Sequence, residues 1–404
     1  MSGRRWLVGV LGAVAILTAG AGLSEARTWY LEKDGSGDFT VIQEAVDAAA
    51  SGDTLRIGPG RWYEYWVIMN GQPVYTLISD KSLTFIGAGP TTTIIGHETP
   101  PFSPSTVGWA MLIGQSVQGT SRFEDLGFDM PGIGGSAIRN NGNRIEVRNC
   151  RFTRLVWGVT TFGIGGGFVR DCEFIDVNYN NGATGVVAYT PARDLLIEDC
   201  TFTNCSEAVG ADWDGCQDIT VQNCVMTGGR GGVSFASGAS GTVRNCTITG
   251  QFLFGIALNR FGLVVLENNY VSVASTAADP AALDILNPAY GTLVARNNVF
   301  ESGARVVIMG SARINLDCRN NYFLQRNGQG WFVIGSPVYN GPVVNLDLTG
   351  NYWGTTDVDY ISQWILDGHD DPQIRYYIDF VPMADSPVPT EQKTWSEVKG
   401  LFRE

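Results

Sequence analysis

Val147-Arg148-Asn149-Cys150-Arg151-Phe152 is a six-residue unit of the form apolar, any residue, Asn or Asp, Cys or Asn, any residue, apolar. It returns as Val169-Arg170-Asp171-Cys172-Glu173-Phe174, Ile197-Glu198-Asp199-Cys200-Thr201-Phe202, Val221-Gln222-Asn223-Cys224-Val225-Met226 and Val243-Arg244-Asn245-Cys246-Thr247-Ile248. Asn then replaces Cys at the fourth position, in copies containing Asn269, Asn298, Asn321 and Asn351. A looser first copy is Phe123-Glu124-Asp125-Leu126-Gly127-Phe128. The third positions fall at 125, 149, 171, 199, 223, 245, 268, 297, 320 and 350, ten copies at a mean spacing of 25 residues.

That period suits one triangular turn of three short strands with their corners. Each strand pairs in parallel with its equivalent one turn on, about 4.8 Å along the axis. A single turn cannot bury its apolar side, but a stack buries a continuous core. The sequence therefore predicts an all-β fold, a single-stranded right-handed parallel β-helix of about ten to thirteen coils with capping helices. In this arrangement the fourth position points inward at a corner. Cys150, Cys172, Cys200, Cys224 and Cys246 fill space there as small hydrophobes. Asn269, Asn298, Asn321 and Asn351 form a hydrogen-bonded side-chain ladder. In-register thiols suit neither a metal site nor disulfides. Cys205, Cys216 and Cys318 lie outside the column, and an exported location permits a Cys205–Cys216 bond.

The ends need covering, because a strand stack has open edges. Phe39 to Ala50 reads as a helix, with Ile42, Ala45, Val46 and Ala49 on one face and Thr40 with Gln43 as a capping box. Strands follow near Thr54–Ile57, Val67–Met69 and Leu83–Ile86. At the far end, Asp357 to Asp367 reads as a second helix, with Ile361, Trp364 and Ile365 inward and Gly368 as its stop. A strand near Ile374–Val381 and a short helix at Trp395–Phe402 complete the chain. Residues 1–26 read as a signal peptide: Arg4 and Arg5, an apolar run from Trp6 to about Gly22, then Ser24-Glu25-Ala26 with cleavage near Ala26/Arg27. Residues 27–356 form the β-helix with its N-terminal cap, and 357–404 the C-terminal cap and tail.

The composition agrees. The 404 residues include 51 Gly and only 17% charged residues, as many short strands with Gly-rich turns would give. The net charge of -13 becomes -14 without residues 1–26, with 25 basic against 39 acidic side chains. Such a chain repels phosphate backbones, which argues against nucleic acid as a partner. No stretch after the leader is long and apolar enough to span a bilayer, so no membrane contact is expected after cleavage. The expected product is a secreted, periplasmic or cell-surface monomer of bacterial type.

Asp34-Gly35-Ser36-Gly37-Asp38-Phe39-Thr40-Val41-Ile42-Gln43-Glu44-Ala45-Val46-Asp47, Leu55-Arg56-Ile57-Gly58-Pro59-Gly60-Arg61-Trp62-Tyr63-Glu64 and Leu83-Thr84-Phe85-Ile86-Gly87-Ala88-Gly89-Pro90 resemble the start of the pectinesterase family. This covers roughly residues 30–96 and implies the N-terminal cap of a pectin-lyase-like β-helix. Asn351-Tyr352-Trp353-Gly354-Thr355-Thr356-Asp357 resembles the last turn of exported right-handed β-helix repeat proteins. The pectinesterase catalytic motifs do not carry over. Val156-Trp157 stands where that family has Gln-Asp, and Tyr179-Asn180-Asn181-Gly182 where it has Asp-Phe-Ile-Phe-Gly. No Arg-x-Trp occurs in the later turns, and His97 and His369 are the only histidines.

The resemblance further implies that the strand after each repeat forms the long face that binds sugars. Strand alternation turns outward Arg139, Thr160 with Phe162, Val187 with Tyr189, Gly210 with Asp212, Ser234 with Ala236, Ala257 with Asn259, Asp284, and Val307 with Met309. Tyr189, Arg193, Trp213, Arg230, Asn259 and Arg260 are the candidate substrate-binding residues, since a ring beside carboxylates and guanidiniums suits a sugar. Asp212 and Asp214 are the candidate catalytic pair. Their bland alternative is corner residues making local turns and surface ion pairs. Arg139, Arg144, Arg148, Arg151 and Arg154 form a basic group offset by Glu146 alone, able to meet an acidic glycan. No cofactor is required, although Asp367, Asp370 and Asp371 offer oxygen ligands for Ca²⁺. The reading favours recognition of a polysaccharide or cell-surface glycan without catalysis. The alternative is a polysaccharide lyase, glycoside hydrolase or esterase acting on the long face.

Overall fold

The structure is a computed structural model. It describes residues 25–63, 67–69, 72–74, 77–78, 81–98, 109–131, 135–178, 182–211, 215–273, 280–286, 290–310, 313–326, 330–335 and 341–384. The chain winds into a parallel β-helix of about eleven turns. Three sheets run its length, of 12, 11 and 14 strands, and neighbouring strands in each come from successive turns. In the repeat of Asn149, Arg144–Arg148 belongs to the first sheet, Arg151–Thr153 to the second and Trp157–Thr161 to the third. The third is the long face. No helix among the described residues is long and apolar enough to cross a membrane.

The third position of the repeat turns the corner between the first and second sheets. Asp125, Asn149, Asp171, Asp199, Asn223, Asn245, Asn268, Asn297 and Asn320 all sit there in the left-handed region, with φ between 47° and 59°. Asn and Asp adopt this conformation at lower cost than other non-glycine residues. The last copy uses Gly350, with φ 69°. The fourth position then points inward: Cys172 is 1% exposed and Asn298 0%. Asn269 Nδ2 donates to Asn298 Oδ1 at 2.9 Å, Asn298 Nδ2 to Asn321 Oδ1 at 2.9 Å, and Asn321 Nδ2 to Asn351 Oδ1 at 3.1 Å. The same oxygens accept the backbone N–H of the preceding turn, Asn269 N to Asn298 Oδ1 at 3.0 Å for example. In the thiol half the contacts are weaker: Cys150 N to Cys172 Sγ is 3.5 Å, and Cys172 Sγ donates to Arg170 O at 3.1 Å.

Inside, in-register side chains stack from turn to turn. Phe128, Phe152, Phe174 and Phe202 pair in order, with ring centroids 5.1, 4.6 and 4.7 Å apart. All eight cysteines are free and buried. Cys205 and Cys216 do not bond to each other: Cys205 Sγ contacts Phe174 O and Cys216 Sγ contacts Ala188 O.

The caps are shorter than their sequence patterns suggest, for backbone reasons. The N-terminal helix spans Ile42–Ala48, and its N-cap is Val41 without a side-chain cap, so the Thr40/Gln43 capping box does not form. Phe39 is instead held in a bridge to Leu31, and Gln43 Nε2 donates to Asp47 Oδ1. The second helix spans only Val358–Ser362, capped by Asp357, which accepts from Tyr360 N. Its expected last turn is taken by Ile365–Leu366, which pairs with Val333–Ile334 as the final strand of the long sheet. Satisfying that open edge outweighs one more helical turn. Tyr376–Asp379 pairs with Val344–Asp347 in a separate two-stranded sheet. The expected helix at 395–402 and the leader before residue 25 lie outside the described residues.

Two outcomes follow. Asn298→Ala removes the Nδ2 donations to Leu266 O, Arg296 O and Asn321 Oδ1 and strands the N–H groups of the turn before it. It should cost about 3 kcal/mol or more, against about 1 kcal/mol for Cys200→Ala. Equal losses in chemical denaturation would contradict the ladder. All eight thiols are buried, and burial pushes those of Cys205 and Cys318 up to about 12; closed off from reagent, none should react with maleimide at pH 8 before unfolding and all should after.

Candidate functional site

Register fixes the outer surface of the long sheet. Arg139, Thr160, Val187, Gly210, Ser234, Ala257 and Asp284 lie in one column, and Ile308 follows. The expected outward pair Val307 and Met309 is therefore wrong: they are 2% and 1% exposed and belong to the core. Val306-Val307-Ile308-Met309 is apolar throughout and has no alternation to set its phase, and a one-residue slip reverses every side chain. A second outward column, two residues further along each strand, carries Phe162, Tyr189, Ala236 and Asn259.

These columns build a stripe of rings and one cation. The Arg139 guanidinium lies 5.2 Å from the Trp109 ring centroid and 4.9 Å from that of Phe162. Phe162 stacks on Tyr189, with centroids 5.0 Å apart and planes 14° from parallel. Trp109, Arg139, Phe162 and Tyr189 come from four consecutive turns and are each partly exposed. Beneath them the hydroxyls of Ser136 and Thr160 are hydrogen-bonded at 2.8 Å and buried. Half-burial between the rings lowers the Arg139 pKa, and Tyr189 opposes that shift. Arg139 makes no ion pair among the described residues; its Nε donates to Asn141 Oδ1.

The rest of the expected basic group is neutralised. Arg144 pairs with Glu146 at 3.0 Å, Arg148 with Asp171 at 3.5 Å, Arg151 with Glu173 at 3.5 Å and Arg154 with Asp129 at 2.5 Å. Most of these partners sit one turn away and so are distant in sequence. Only Arg139, among the five, remains for a ligand.

Beyond Tyr189 the surface changes character. Phe162 stacks on one face of its ring, and the described residues further along the two columns are Gly210, Ser234, Ala236 and Ala257. These small residues form a low floor. Four turns past Tyr189, about 19 Å along the axis, stands Asp284, 9% exposed, with Oδ1 buried and without a partner. Burial pushes its carboxyl up to about 6, and the Arg305 guanidinium pulls it partly back. Asn259, diagonal to it on the preceding turn, also has a buried Oδ1 without a partner.

The expected cluster is only partly assembled. Tyr189 and Asn259 share a column. Arg230 precedes the strand Gly231–Ala236 and so lies at the opposite edge of the sheet, with its carbonyl accepting from Leu253 N. Arg193 is exposed at the next corner, bridged through its backbone to Gln217. Arg260 is exposed in a left-handed turn, φ 49°. Asp212, Trp213 and Asp214 lie outside the described residues. Asp367, Asp370 and Asp371 are turn acceptors: Asp367 takes His369 N and Ile378 N, Asp370 takes Asp367 N, and Asp371 takes Gln373 N. Among the described residues no three His, Cys, Asp or Glu side chains converge as a metal site. Sequence reasoning missed Trp109, which precedes the first counted repeat, and did not single out Asp284. A lone acid inside Ala281-Ala282-Leu283-Asp284-Ile285 was the available signal.

Known proteins agree with this architecture. The family described as "Right handed beta helix region" matches residues 177–323 and 210–355. Pectinesterase 31 of Arabidopsis thaliana is 26% identical over 168 residues, 37% of this chain and 50% of its own. A mutant tailspike protein of E. coli bacteriophage HK620, solved in complex with pentasaccharide, superposes with a TM-score of 0.58 at 16% identity, covering 81% of this chain and 65% of its own. A second structure of that tailspike with pentasaccharide gives 0.55 at 17% identity over the same shares. The chain thus spans half the length of the curated relative and less than two thirds of the tailspike. Taken with the sheet topology, these matches identify the fold as a right-handed parallel β-helix, similar to that of the tailspike and with sequence similarity to a pectinesterase.

Proposed function

We propose that this is an exported protein that recognises a polysaccharide along its long sheet. The observation that carries the reading is the partly exposed stripe of Trp109, Arg139, Phe162 and Tyr189 on four consecutive turns. A sugar ring has apolar C–H faces and a rim of hydroxyls. It can lie along the exposed parts of the stripe's rings, while Arg139 offers N–H donors that no carboxylate among the described residues occupies. The HK620 tailspike, whose structures hold a pentasaccharide, supports the reading at the level of fold. The leader-like start of the chain supports export.

A glycan array should find a bound class. Tyr189→Ala and Arg139→Ala should each weaken binding about tenfold or more, roughly 1.4 kcal/mol. Binding to no glycan, or affinity unchanged in both variants, would remove the proposal. Arg193→Ala, away from the stripe, should leave affinity within about twofold.

Asp284 favours a second reading, a carbohydrate-active enzyme in which it donates a proton. A carboxyl near 6 is placed for that role, as buried acids are in glycoside hydrolysis. A polysaccharide panel read for unsaturated product, new reducing ends and released acid should then show turnover that Asp284→Asn abolishes. The raised acid has a second consequence that holds under either reading. The folded state holds its proton to higher pH than the unfolded chain, so stability falls as pH rises from about 4 to about 6. Asp284→Asn should gain on the parent by about 2 kcal/mol between pH 4 and pH 7. A gap independent of pH would show that Asp284 is not held as described.

A further inference from the structure

Arg27 is tied to the fold at three points. Its carbonyl accepts from Thr54 N at 2.8 Å, its amide nitrogen donates to Asp53 Oδ1 at 2.8 Å, and its guanidinium lies 3.4 Å from the centroid of the Trp29 ring. Glu25 and Ala26, just before it, are exposed and make no hydrogen bond among the described residues. Asp53 is 4% exposed. Its other oxygen accepts from Trp29 Nε1 at 2.9 Å and Ala50 N at 2.8 Å. Burial acts to raise its carboxyl, but the donors and the Arg27 guanidinium more than reverse this, and the net direction is downward. Asp53 is therefore a buried carboxylate, yet it makes no ion pair among the described residues. All three of its hydrogen-bond donors are neutral N–H groups. The Arg27 guanidinium acts on this carboxylate from beyond ion-pair distance, and a buried charge without a cation in direct contact is a costly arrangement.

The sequence independently puts small residues, Ser24 and Ala26, at the two positions that a signal peptidase reads. We propose that the Ala26–Arg27 bond is the processing site and that the α-ammonium freed there is the counter-ion of Asp53. Water supplies the hydroxyl that stays on the Ala26 carbonyl and the hydrogen that goes to the Arg27 nitrogen. The amine then takes one more proton from solvent. An amide N–H bond to Oδ1 becomes a charge-assisted one at the same place, roughly doubling its strength. Cleavage thus completes the N-terminal cap, and Glu25 and Ala26 make no hydrogen bond among the described residues that it would remove. The inference shares with the glycan proposal only the premise of export, and its outcome is read without any glycan.

The charged groups about this nitrogen are Asp53, Asp38, which lies 3.9 Å from the Arg27 guanidinium, and that guanidinium itself. Pairing with Asp53 raises the folded pKa of the amine above its ordinary 7.7–8.0. Its contribution is therefore complete below about pH 7.7 and lost as pH rises through the raised value.

The test begins with the full precursor exported by a bacterial host. Intact mass should show a mature chain beginning at Arg27. Thermal melts from pH 6 to 10 then compare that chain with one carrying an extra Gly before Arg27. The unextended chain should melt about 2 °C higher at pH 7, the gap should close by pH 10, and Asp53→Asn should abolish it. If Asp53→Asn fails to fold, the comparison with the Gly-extended chain still decides. A mature protein beginning at another residue, or no gap between the two chains at pH 7, overturns the proposal.

Discussion

In-register parallel pairing is the constraint on which everything else in this molecule rests. Once each turn lies directly over the last, every side chain meets its own equivalent about 4.8 Å away. Whatever occupies a column must tolerate stacking on itself. Phe, Cys and Asn do so in different ways. Rings gain contact area, thiols fill space, and carboxamides exchange hydrogen bonds. The same rule operates outside, where Arg148 finds Asp171 and Arg151 finds Glu173 across one turn. Where like charges face each other in register, as Arg148 with Arg170 and Arg296 with Arg319, a neighbouring acid is drawn in, Glu198 to Arg170 and Asp317 to Arg296.

This rule also explains how much was legible in the sequence. The period and the inward fourth position could be read directly, because a stacked column repeats its chemistry at a fixed interval. The left-handed corner at the third position was equally visible in its restriction to Asn, Asp and one Gly. The ends were less legible. There, backbone pairing with a neighbouring turn competes with local helix propensity, as at Ile365–Leu366, and a one-dimensional pattern does not contain the competitor.

The candidate site was harder still. Its members come from one face of successive turns, where no column must repeat and residue types vary freely. Tyr189 and Asn259 were recognisable as outward residues, but the stacking of Phe162 on Tyr189 and of Arg139 between two rings depends on contacts across turns. Arg139 looked like one of five equivalent arginines. Only the positions of Asp129, Asp171 and Glu173 reveal that the others are already paired. Arg230 looked close to Tyr189 by turn count, yet the width of a strand separates them.

The handover from thiols to carboxamides, where Cys246 N meets Asn269 Oδ1 at 3.0 Å, makes the molecule a composite rod. Towards the C-terminal end the inner column is a cross-linked polar spine, whose removal from any one turn disturbs both neighbours. Towards the N-terminal end it is a thiol filling, where the inner column adds only weak contacts to the backbone pairing that joins the turns. The ring stripe sits over the thiol-filled segment, and Asp284 over the cross-linked one. A long ligand bound as proposed would therefore cross from turns filled inside by thiols to turns cross-linked inside by carboxamides.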